Sequence, residues 1–171
     1  CFASHLEILG LAVAEGHRSI LILEDDMDWT CLALDPEGDV ASALTGTPWD
    51  FLHGGPGHDG SRDTRHLRLR SLNPDEGVRL THFIGLRGGA IPTAHRYLSA
   101  ILGRPAGSPD GGPIHVDGAY SWLRKDYDEI ASYVCVPSIA RQRSSVSDIS
   151  PPTGWRAFPV ISHALARGRQ I

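Results

Sequence analysis

The stretch SILILEDDMDWT, Ser19 to Thr30, sets an apolar run directly against Glu24, Asp25, Asp26 and Asp28, four carboxylates within five positions. Ser19 to Leu23 shows no polar alternation, the pattern expected of a central strand covered on both faces. Upstream, Phe2, Leu6, Leu9 and Val13 recur at helical spacing, and Gly16 stands where a helix over residues 2–15 would end. A helix running at once into a buried strand is the unit from which α/β domains are built.

Downstream, Asp35-Pro36-Glu37 reads as an N-cap with proline at the first helical position, opening a short helix to about Leu44. Trp49 to His53 reads as a strand, followed by the glycine-rich loop HGGPGHDGSRD, residues 53–63. RHLRLRSL, residues 65–72, alternates as a half-exposed strand does, and Val78 to Leu86 is its expected hairpin partner. Helices are expected over Thr93 to Leu102 and Val116 to Lys125, and a last strand over Tyr133 to Val136. Beyond Pro137 the sequence reads as an irregular surface segment. Ile161 to Arg169 then reads as an amphipathic basic helix, either solvated or lying on a membrane surface.

The 171 residues fit one domain burying roughly 70% of its unfolded surface. Hydrophobic content of 41% and charged content of 21% exclude disordered and fibrous classes. A net charge of -4, with arginines interspersed among acids, excludes a nucleic-acid footprint. Arg62, Arg65, Arg68 and Arg70 form a local patch read as a solvated strand face. Cys1, Cys31 and Cys135 have neither zinc-pair nor disulfide spacing, which fits a reducing compartment and a cytoplasmic location. No apolar run approaches the roughly 18 residues of a membrane helix, leaving at most a peripheral membrane association. The chain opens inside a helix, and its one methionine is Met27, so a further segment is expected upstream.

Ligands of open α/β sheets sit beyond the carboxyl ends of strands, where Glu24 to Asp28 lie. Crowded carboxylates repel unless a cation gathers them, and oxygen ligands favour magnesium, manganese or calcium over zinc. In extended backbone Glu24 and Asp26 would share one side and Asp25 take the other. The alternative is a strand end whose acids are simply solvated. DMDWT, with Asp26 and Asp28, resembles the nucleophile motif of haloacid dehalogenase-like phosphatases. That family also needs a downstream lysine, and here the one lysine is Lys125, in RKDYDE on an expected surface helix.

Several segments together resemble glycosyltransferase family 25, the lipopolysaccharide-type glycosyltransferases. CFASHLEIL, residues 1–9, is similar to its Gly-Cys-x-x-Ser-His helix, and SILILEDD to its Leu-Glu-Asp-Asp strand end. VDGAYSWL, residues 116–123, and QRSSVSDI, residues 142–149, are similar to its Val-Asp and Ser-Asp-Ile elements. The resemblance implies a GT-A-like, Rossmann-like α/β domain over residues 1–150, a mixed sheet flanked by helices, with 151–171 as a tail or helix. It implies transfer of a sugar from a nucleotide-sugar donor to a hydroxyl acceptor, with inversion, in lipopolysaccharide or cell-envelope polysaccharide synthesis.

Carried onto this sequence, the resemblance gives Mn2+ or Mg2+ to Asp26 with Glu24 assisting, and a ribose or sugar hydroxyl to Asp25. Asp117 is the candidate base, or equally an N-cap, with His115 beside it. His53 is expected to face the cleft, and Gln142, Ser145 and Asp148 to lie on a lid over the diphosphate. His5 is either a buried, hydrogen-bonded histidine or a ligand. The family's opening strand and helix would precede Cys1, so residues 1–171 alone are expected to be weakly active or inactive. A transferase-like module that binds without catalysis remains a third reading.

Overall fold

A computed structural model of the chain describes residues 1–34, 40–55, 66–77 and 79–143. The expected helix N-cap at 35–37, most of the loop at 53–63, Ser145, Asp148, the 151–171 tail and its terminal helix lie outside the described residues.

The first helix, α1 (Phe2–Ala14), ends at Gly16, whose φ of 70° suits a residue without Cβ. It leads into β1 (Ser19–Leu23). Short elements follow: β2 (Met27–Trp29), α2 (Cys31–Leu34), α3 (Val40–Gly46) and β3 (Phe51–His53). Next come β4 (Arg68–Ser71) and β5 (Phe83–Arg87). Gly88, at φ 56°, turns the chain sharply into α4 (Ala90–Gly103). This helix buries Ala90, Ile91, Ala94, Tyr97, Leu98 and Ile101, one stripe at three- and four-residue spacing. α5 (Val116–Asp126), β6 (Ser132–Val136) and β7 (Ala140–Gln142) complete the described chain.

Five strands form a mixed sheet in the order β1-β5-β3-β6-β4, and β2 with β7 forms a separate two-stranded ribbon. Only β3 and β6 run parallel; the other pairs in both sheets are antiparallel. One face of the sheet packs Ile22, Phe51, Ile84 and Leu86 against Leu9, Leu98, Ile101, Tyr120 and Leu123 of α1, α4 and α5. The opposite face packs Leu52, Phe83 and Cys135 with Ile139 and Ala140, and part-buried side chains from β2, α2 and α3 close over them. Each fully buried large aliphatic side chain contributes roughly 1.5–3 kcal/mol. The architecture is thus α/β, a mixed five-stranded sheet flanked by helices, compatible with a Rossmann-like fold.

Four expectations are corrected. Among the described residues β1 is an edge strand rather than a central one: it pairs with β5 alone, and Leu21 and Leu23 stay 49% and 43% exposed on the face opposite α1. The 65–72 strand makes no hairpin with the segment after Val78. β4 pairs instead with β6, because β5, buried along most of its length, takes the slot between β1 and β3. The buried face of α1 runs through His5, Leu9 and Ala12, leaving Val13 41% exposed. The segment after Pro137 is not wholly irregular, since Ala140–Gln142 forms β7 against β2.

A buried arginine fastens the turn before β5. Arg124 of α5, 1% exposed, donates from Nη1 to the Glu76 carbonyl at 2.8 Å and from Nη2 to the Asn73 carbonyl at 2.7 Å. Its guanidinium also lies 5.6 Å from the Phe51 ring centre. Burial lowers its pKa, with Glu76 opposing that shift.

Candidate functional site at the end of β1

Past Leu23 the backbone leaves the strand and turns, closed by the Met27 amide donating to the Glu24 carbonyl at 3.1 Å. Strand alternation therefore stops before the acids begin, and the expectation that Glu24 and Asp26 share one side of an extended chain fails. The four carboxylates point to different partners.

Glu24 turns inward. Its Oε1 accepts from the Thr81 hydroxyl at 2.9 Å and the Cys1 thiol at 2.9 Å, and lies 3.2 Å from His5 Nε2. The other ring nitrogen of His5 meets the Tyr120 hydroxyl at 3.2 Å. With Nε2 protonated toward Glu24, Nδ1 accepts from Tyr120, a tautomer that satisfies every partner with a neutral ring. The His5 hydrogen bond holds the Glu24 carboxyl below its usual pKa against the opposing effect of burial, with Thr81 helping. Burial holds the Tyr120 hydroxyl well above its usual value.

Asp26 is half-buried and differently engaged. Its Oδ2 accepts from Gln142 Nε2 at 2.7 Å, and its carbonyl accepts from the Arg143 amide at 2.8 Å. Its Oδ1 is buried with no hydrogen-bond partner among the described residues. Close by, His82 is fully buried with neither ring nitrogen in a well-formed hydrogen bond. Burial depresses its pKa, opposed by the nearby Ala140 carbonyl and by Glu24 and Asp26. Unsatisfied buried polar atoms are costly, which makes this strand end a candidate site.

Arg143 spans the rest of the turn. Its Nη2 donates to the Asp25 carbonyl at 2.6 Å and its Nε lies 3.4 Å from Asp28 Oδ1. The Asp25 carboxylate is left on an exposed residue.

Of the expected metal ligands, Asp26 keeps an unpartnered carboxylate oxygen, yet it belongs to no group of three ligand atoms among the described residues. The orphaned Oδ1 is a hard, acceptor-only ligand already oriented through Gln142. Glu24 is less suited to share that ion, because three donors compete for its Oε1. Among the described residues, the one group of three His, Cys, Asp or Glu ligand atoms within 4.8 Å of one another is Cys1, His5 and Glu24.

The remaining expected residues fall elsewhere. His53 does not present a free nitrogen: Nε2 donates to the Leu80 carbonyl at 2.6 Å, and Nδ1 accepts from the Gly55 amide at 3.2 Å. Burial drives its pKa down to about 4, against the Leu80 hydrogen bond. Leu80 itself takes φ 63°, an uncommon conformation for a branched residue, which this bond helps to hold. Asp117 is half-buried in the first turn of α5, whose N-cap is His115 rather than Asp117; its Oδ1 accepts from the Gly118 amide at 2.8 Å. Lys125 pairs with Asp75 at 3.6 Å.

Thr81, His82, Tyr120 and Arg143 were not singled out by the sequence. Thr81 and His82 precede a buried strand that runs antiparallel to β1, so the start of β5 must lie beside the end of β1. That adjacency was the available signal, and the misassigned hairpin concealed it. The two best-formed depressions, of about 230 and 390 Å3, are lined by residues 74–77 with Ser121, Trp122 and Lys125, and by α4 with Asp126 and Tyr127; neither is lined by residues of the acidic turn.

The chain matches no protein-family model, and no curated protein matches it.

Proposed function

We propose that this chain is a transferase-like module of GT-A type, moving a sugar from a nucleotide-sugar donor to a hydroxyl acceptor. The supporting observation is convergence. Four separated segments resembling family 25 meet at the end of β1: His5 touches Glu24 and Tyr120, and Gln142 touches Asp26.

In this reading Asp26 would hold Mn2+ or Mg2+ through Oδ1. Such an ion, when bound, offsets the charge that accumulates on the departing nucleoside diphosphate. Gln142 orients Asp26 through Oδ2, leaving Oδ1 directed at the ligand. Arg143 holds the turn through the Asp25 carbonyl and the Asp28 carboxylate. Asp25 accepts hydrogen bonds from ribose or sugar hydroxyls. Glu24 acts as a positioning residue, locking the turn to α1, α5 and the start of β5. Asp117, one turn before Tyr120 on α5, is the candidate to take the proton that the acceptor hydroxyl loses as it attacks. His53 supports the wall through backbone contacts rather than touching donor.

The phosphatase reading lacks a lysine at the acidic turn, since the one lysine, Lys125, lies in the last turn of α5 beside Asp75. The proposed setting is cell-envelope polysaccharide synthesis on the cytoplasmic side of a membrane. Among the described residues no helix is long and apolar enough to cross one.

The test is release of nucleoside diphosphate from UDP-sugars in the presence of manganese. The expected result is slow, metal-dependent release that Asp26→Asn lowers at least about 100-fold, the usual scale for losing one transition-state charge contact. Release that survives Asp26→Asn contradicts the reading.

A further inference from the structure

We propose that Cys1, His5 and Glu24 form a binding site for a zinc-class divalent cation, distinct from the hard-metal position at Asp26. The three ligand atoms, a thiol sulfur, an imidazole nitrogen and a carboxylate oxygen, lie within 4.8 Å of one another. Cys1 Sγ and His5 Nε2 stand 2.9 Å and 3.2 Å from the same Glu24 oxygen. Tetrahedral zinc, with bonds of about 2.3 Å to sulfur and about 2.0–2.2 Å to nitrogen and oxygen, separates its ligands by slightly more than that. Replacing the two hydrogen bonds by a central ion therefore needs only a short outward movement.

The donor set selects the metal. One thiolate, one imidazole and one carboxylate suit zinc or cobalt and are poor for manganese or magnesium, which prefer oxygen alone. Cys1 and His5 are four residues apart at the start of α1, so both face the same side and are carried by one rigid element. The surroundings supply the second layer that metal-bound histidines ordinarily have. Tyr120, fully buried, meets His5 Nδ1, which leaves Nε2 to the metal, and the Thr81 hydroxyl steadies Glu24. Three protein ligands leave the fourth position of a tetrahedral ion to water or another ligand. Binding displaces the thiol proton of Cys1; His5 stays neutral with its proton on Nδ1, donated to the Tyr120 oxygen, and Glu24 enters as carboxylate. Cysteine spacing alone offered no sign of this site, because only one of its ligands is a cysteine.

Titration of the reduced full chain with cobalt(II), followed by displacement with zinc, tests the assignment without any donor, so its outcome is separate from that of the transferase reading. The expected result is one equivalent of cobalt giving a thiolate-to-metal charge-transfer band together with the strong visible bands of tetrahedral cobalt. Cys1→Ser and Cys1→Ala should abolish the charge-transfer band and weaken zinc binding at least about tenfold, the lower end of what losing even a supporting group costs a metal site. Cys31→Ser should leave both unchanged. A charge-transfer band that persists in both Cys1 variants, or micromolar protein that binds no cobalt with a thiolate signature, overturns the proposal.

Discussion

Glu24 and Asp26 are two residues apart in sequence and perform different tasks, because a turn rather than a strand connects them. Glu24 satisfies His5 and Thr81, so Glu24→Ala leaves a buried imidazole and a hydroxyl short of an acceptor. Losing such a partner costs about 1–3 kcal/mol, which urea unfolding of the variant should read as a lower midpoint. His53 gives stability a pH dependence whose sign follows from its lowered pKa. From its ordinary 6.5 down to about 4, an unfolded chain takes up a proton that the folded one refuses. Stability from this group is complete above pH 6.5, falls as pH drops through that window, and reaches a loss of roughly 3 kcal/mol near pH 4. His82, also depressed, adds in the same direction. His53→Gln, which keeps a donor for the Leu80 carbonyl, should show a flatter profile between those limits in urea midpoints measured across pH. At this scale the sequence was partly legible. Carboxylates after an apolar strand announced a polar site, whereas the partners of Glu24 are contributed by α1, α5 and the start of β5, and no local pattern reports such contacts.

Helices α1, α4 and α5 and strands β1, β3 and β6 were all legible from periodicity, because each carries a clean apolar stripe or run between glycine or proline signals. β2, β7 and the pairing of β4 were not. β2 and β7 are three-residue strands with no apolar run to mark them, and an alternating stretch such as residues 65–72 does not encode which neighbour it joins. The apolar run of β1 likewise records hydrophobicity without recording coverage, which is why an edge strand read as a central one. Arg124 is the element-scale surprise, since arginine on a helix ordinarily faces water. Its two hydrogen bonds tie α5 to the turn at 73–77, so Arg124→Met leaves two carbonyls unpaired. The expected cost is about 2–4 kcal/mol, with faster amide exchange in β4 and the adjoining turn than elsewhere in the sheet. Arg124→Lys should recover little of it, because an ammonium lacks the planar fork that reaches both acceptors. Gly55, at φ 113°, gives a second check. A Cβ there would collide with Ser138, so Gly55→Ala should lower the unfolding midpoint and loosen the junction of β3 with the chain before β7.

On the scale of the whole molecule, α/β class followed from alternating helix and strand patterns, while the strand order β1-β5-β3-β6-β4 depends on long-range pairings that sequence periodicity does not carry. That order matters for function because it sets the end of β1 beside the start of β5 and against the β2–β7 ribbon. Glu24, Asp26, His82 and Gln142 then surround a single strand end. Gln142→Ala should weaken donor binding several-fold without a large change in stability, since the amide is exposed and acts by aiming Asp26.

The central claim is that Asp26 Oδ1 awaits a metal-bound diphosphate. Isothermal titration of UDP-sugars into the chain, with and without manganese, addresses it directly. Binding that requires manganese and disappears in Asp26→Ala, while the variant unfolds at an unchanged or higher urea midpoint, is the predicted result. Donor binding indifferent to both manganese and Asp26, or no binding under any condition, would contradict it.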